Sequence, residues 1–179
     1  MWLAEVKAKA WRKNQILFAR DSLLLAELSQ QIGKTNRRAL ILWALELAQE
    51  SAAQLAEKYP EDVRPREAVE AAASWARGEI KMPVAKRAIL SCHAMAKELT
   101  EPADIARCHA VGQACSVVHI PGHALGYPMY ELTALVLELG MENCREATEG
   151  RARCYADRLQ YWKEWEAEHT TAWVIFLRT

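Results

Sequence analysis

Residues 83–99 read PVAKRAILSCHAMAKEL, and this stretch decides the fold class. Ala85, Ala88, Ile89, Cys92, Met95, Ala96 and Leu99 recur at three- and four-residue steps. That spacing stacks them on one face of an α-helix. Pro83 falls in the first turn, where a proline has no backbone hydrogen bond to lose.

The same pattern extends in both directions. Upstream, Leu40, Trp43, Ala44, Leu47, Ala48 and Leu55 form a second apolar stripe. It predicts a helix capped by Thr35 and running to about Lys58. An earlier helix is predicted over Leu3–Ile32, stopped by Gly33. Pro65–Arg77 reads as a helix burying Ala68, Val69, Ala72, Trp75 and Ala76, with Gly78 ending it. Downstream, Thr100 and Pro102 restart a helix that reaches about His119. Pro121-Gly122 then predicts a kink or a short break. A further helix, interrupted near Pro128, ends at Gly140, and the last runs from about Glu142 to His169. The apolar tail, Ala172–Leu177, fits a helix end or a short strand. Seven glycines and six prolines leave few breakers in a chain rich in Ala, Leu and Glu. The expectation is one all-α domain over residues 1–179, an antiparallel bundle or short α-solenoid of about six to eight helices.

Lys plus Arg and Asp plus Glu both number 23. Without a basic field, non-specific nucleic-acid binding is not expected. The longest apolar run near the front, Ala39–Leu45, is far short of the roughly 20 residues that span a bilayer. The opening MWLAE places an acid early and lacks the apolar core of a secretory leader. Five cysteines without a CxxC pair suit reduced, mostly buried thiols and a cytoplasmic location.

The histidines are the first place to look for chemistry. Cys108, Cys115 and His119 share one helical face, and His123 would follow one turn later. Cys and His at such steps can ligate zinc. Pro121 disturbs that geometry, and no HExxH motif supplies a base. His93, His119 and His123 remain candidates for a metal or ligand site formed by helix packing. His93 and His109 also suit helix-boundary positions with satisfied rings. Glu166 and His169 make one ExxH step, where a di-iron bundle needs two plus further carboxylates. There is no GxSxG elbow and no glycine-rich phosphate loop. Gly112, inside a predicted helix, suits close helix packing. No catalytic residue, enzyme activity or cofactor is therefore expected.

Asp62-Val63-Arg64-Pro65-Arg66 puts two arginines at a helix start, where free N–H groups and the helix dipole favour an anion. The alternative is pairing within the chain, with Asp62, Glu61 or a neighbouring helix. Asp62, Arg64, Arg66, Glu79 and Lys81 form the candidate partner- or anion-binding set. Of the seven tryptophans, Trp43 and Trp75 suit the core. Trp2, Trp11, Trp162, Trp165 and Trp173 suit a homodimer surface.

Four stretches carry a family likeness: RALILW at 38–43, YPEDVRPR at 59–66, AAASWARGEIKM at 71–82 and ARCHAVGQACSVVHIPGHA at 106–124. Together they resemble the Imm-5-like domain, a helical immunity-protein family found with bacterial polymorphic toxins. The resemblance spans about Thr35 to Trp165, leaving an N-terminal helix and a C-terminal tail outside. It implies an all-α protein that binds a cognate toxin and neutralises it by occlusion, with no catalytic residue. The residues alone leave a second reading, a small helical metal- or ligand-binding protein centred on His119 and His123.

Overall fold

A computed structural model describes residues 1–169 and 172–178. Among these residues, eight α-helices carry the fold: α1 (Trp2–Trp11), α2 (Ala26–Gly33), α3 (Arg37–Lys58), α4 (Arg64–Ala76), α5 (Met82–Met95), α6 (Pro102–Ser116), α7 (Gly126–Leu139) and α8 (Arg145–Trp165). No strand occurs among the described residues.

Two helices form the centre. α3 buries ten residues between Ala39 and Leu55, and α6 buries ten between Ala103 and Cys115. Helices buried on so many sides need neighbours all round. α6 packs on α3, α4, α5 and α7, and α3 also packs on α4 and α8. This wrapped centre is a bundle rather than a linear stack.

Several expected boundaries move. The first predicted helix stops at Trp11, and Lys13 takes a left-handed φ of 59°. Leu17 and Phe18 then lie buried in a non-helical strap. The Leu17 amide donates to Thr133 Oγ1 on α7 at 3.0 Å, so a tertiary contact replaces the helical one. Asn36, not Thr35, caps α3: its Oδ1 accepts from the Ala39 amide at 2.9 Å. Thr35 instead donates to the Gln31 carbonyl and closes α2. α6 ends at Ser116, and Pro121–His123 form a 3-10 turn. Pro128 does not interrupt α7, because it sits in the first turn. α8 ends at Trp165 in a 3-10 turn, Glu166–Glu168. The tail forms another 3-10 turn at Ile175–Leu177, pinned by the Val174 amide on the Ala76 carbonyl at 2.8 Å. No described helix is long and apolar enough to cross a membrane.

Two tryptophans expected at a homodimer surface lie inside. Trp2 is 9% exposed and Trp173 7%. Each packs on its own chain's core, Trp2 against Phe18 with ring centroids 5.9 Å apart. Trp162 is half-buried and donates its indole N–H to Glu46. Trp11 and Trp165 remain exposed.

Candidate functional site

A groove of about 390 Å³ lies between α5 and the C-terminal half of α6. Trp75 at the end of α4 and the turn 119–123 close its sides. His93, His119 and His123 all line it, so helix packing brings together three side chains that span thirty positions of sequence.

Each imidazole is held differently. The Nδ1 atoms of His93 and His109 lie 2.9 Å apart, so one donates and the other accepts. His109 also packs beside the Tyr130 ring. The pair can approach because residue 112 is glycine: a Cβ there would collide with the His93 ring. Burial, then the neighbouring His109, lowers the His93 pKa to about 4, which keeps the pair neutral at pH 7. Burial lowers His109 too. His123 Nδ1 lies 2.8 Å from Gln113 Oε1, a pure acceptor, so Nδ1 carries the hydrogen. His119 is exposed, with its ring 5.6 Å from that of Trp75.

Among the described residues, no three or more His, Cys, Asp or Glu side chains gather closely enough to hold a metal ion. Cys108 and Cys115 share a helix with this site but point into the core. Burial pushes both thiols up to about 12, so they stay protonated and are weak ligands and nucleophiles.

The second candidate set does not converge. Asp62 just before α4 and Arg66 in its first turn lie at one end, whereas Glu79 and Lys81 follow its other end, about 20 Å away along the axis. Arg64 is paired within the chain: its guanidinium bonds both Asp62 oxygens and reaches Glu98 at 2.8 and 2.7 Å. It staples the α4 start to the turn after α5 rather than offering a free anion site. Arg66 pairs with Glu70 on the same exposed helix face, and Glu79 pairs with Arg77 at 2.6 Å. Lys81 is exposed just before α5.

Two members of the groove region escaped the sequence reading. Trp75 reads as core, yet its ring also forms a groove wall. His109 reads as an ordinary boundary residue, and its pairing with His93, sixteen positions away, joins two helices. No local pattern signals such a cross-helix pair.

An all-helical bundle with one imidazole-lined groove is thus the class of protein defined by fold and site. The chain belongs to the family described as "Imm-5 like putative immunity protein", whose sequence profile matches residues 30–158. Neither a curated protein nor a solved structure matches the chain. The matched span runs from α2 into α8 and includes every residue lining the groove. α1, the strap after it and the C-terminal tail lie outside.

Proposed function

We propose that this chain is an immunity-type protein that binds a cognate bacterial toxin domain in the cytoplasm and neutralises it by occlusion. Family membership over residues 30–158 is the observation that carries this reading. An exposed apolar rim on the same span supports it: Met82, Leu90 and Ile120 line the groove and are 36%, 54% and 48% exposed. Apolar side chains grouped beside a groove are what a protein partner covers. Occlusion requires no catalytic group in the inhibitor. It requires only that the complex outlast the toxin's encounter with its target.

The test is co-expression with the toxin-like domain encoded beside this chain. Cell survival together with co-purification of the two proteins is the expected result. Death despite soluble expression of both overturns the reading.

A second reading has one observation of its own, the three imidazoles around a cavity of small-molecule size. On that reading the chain is a ligand- or metal-binding protein centred on His119 and His123. A rise in melting temperature with zinc that disappears in His119→Ala and His123→Ala would favour it.

A further inference from the structure

We propose that the groove between α5 and α6 is the seat for a partner segment carrying an apolar side chain beside carboxylates. That the partner is a toxin rests on the immunity reading, but the chemistry of the seat does not.

The apolar half of the argument is shape and exposure. Trp75, Ile89 and Leu90 wall the groove, and Ile120 stands at its lip. The lip is firmly built: the His119 and Ile120 amides both donate to the Ser116 carbonyl, and the His123 amide donates to the Ile120 carbonyl. A small molecule could fill the cavity but would leave the outward parts of Leu90 and Ile120 uncovered. A chain segment covers cavity and rim together.

The carboxylate half is charge. The chain as a whole carries equal numbers of acids and bases, yet among the described residues no Asp or Glu lines this groove. Lys86 is its one formal charge among the described lining residues. Two more cations stand behind the lip. Arg37 donates to the carbonyls of Val118 and His119 at 3.0 and 2.9 Å, and Arg20 donates to that of Gly122 at 2.9 Å. These guanidiniums occupy carbonyls just beyond the end of α6, where the helix dipole would otherwise repel an anion. Glu79, a nearby acid in sequence, is already paired with Arg77.

The test is selection of displayed random peptides on the immobilised full chain, with counter-selection on Leu90→Asp. Leu90 and Lys86 are exposed, so both variants should fold, and circular dichroism melting checks this. Expected survivors combine Leu, Ile or Phe with adjacent Asp or Glu, and Lys86→Glu weakens them by about tenfold. Peptides enriched in Lys or Arg overturn the proposal, as does binding unchanged by both variants. The same variants enter the co-expression assay. Survival that persists in Leu90→Asp and Lys86→Glu removes this groove while keeping the immunity reading. No survival with the wild-type chain, alongside selection of acidic apolar peptides, removes the toxin while keeping the groove.

Discussion

The two ends of α6 solve opposite problems. At its start, Asp104 and Arg107 are buried charges with side chains 1% and 5% exposed. Asp104 accepts from Lys58 Nζ at 2.9 Å and Tyr59 Oη at 2.8 Å, and Arg107 grips Glu138 through two bonds of 2.8 and 2.6 Å. Burial works against the Asp104 carboxylate, but Lys58 and Tyr59 outweigh it and hold its pKa below the ordinary value. At the other end, Gly112–Ser116 carries no charge and meets neutral imidazoles beside an open groove. One end closes α3, α6 and α7 together through paired charge. The other leaves polar and apolar groups available to a partner. Stability should therefore be most sensitive at the first end and recognition at the second.

The largest expected effect breaks the charged end. Arg107→Ala leaves Asp104 and Glu138 short of a buried partner and should cost about 3 kcal/mol in urea unfolding. A loss no greater than that of an exposed arginine would show that Lys58 alone satisfies the site.

Next comes the close approach at the groove end. Gly112→Ala forces the His93 ring or α5 to move, and should cost about 2 kcal/mol. Adding His93→Ala should recover part of that loss, because the clash disappears with the ring. A double-mutant cycle with no coupling would contradict the packing described here.

Acidification separates the ends by pH. His93 has a folded pKa of about 4, below the ordinary imidazole value near 6.5. Between those values the unfolded chain binds a proton that the native chain does not, so stability falls as pH drops from about 6.5 to 4. For a half-buried ring the loss should be about 1 kcal/mol, or a few degrees in melting temperature. His93→Gln should flatten the curve in this window. Asp104 and Glu138, whose pKa values are lowered, should act only at lower pH, as their carboxylates protonate. A wild-type melting curve that is flat from pH 7 to 5 would show that His93 is not held neutral by the fold.

The smallest effect sharpens the contrast. Leu90→Asp, exposed on the groove rim, should change stability by no more than about 0.5 kcal/mol while abolishing partner binding.

How much of this was legible depends on how local each signal is. The α5 stripe PVAKRAILSCHAM and the α3 stripe from Leu40 to Leu55 repeat within a turn or two, so periodicity revealed both helices. Trp43 reads correctly as core for the same reason. The strap at Leu17–Phe18 was misread as helix, because its amide finds a partner on Thr133, 116 residues away. Trp2 and Trp173 look like surface groups near the termini, but the strap and tail fold them inward. At the site, His119 and His123 stood out as neighbours across a proline turn. His109 did not, since its partner lies on another helix. Asp62 and Arg64 read as a candidate anion site, with pairing to Asp62, Glu61 or a neighbouring helix as the alternative. The structure shows Arg64 held by Asp62 and by Glu98 from beyond the next helix.

By itself the sequence determined the all-helical class, most helix positions and the family, because helical periodicity and short motifs are properties of neighbouring residues. Only the tertiary structure decided where the groove lies, that its mouth carries no acid, and that His93 stays neutral against Gly112. Those features depend on which helix faces meet, and the distances involved are set by packing between residues far apart in the chain.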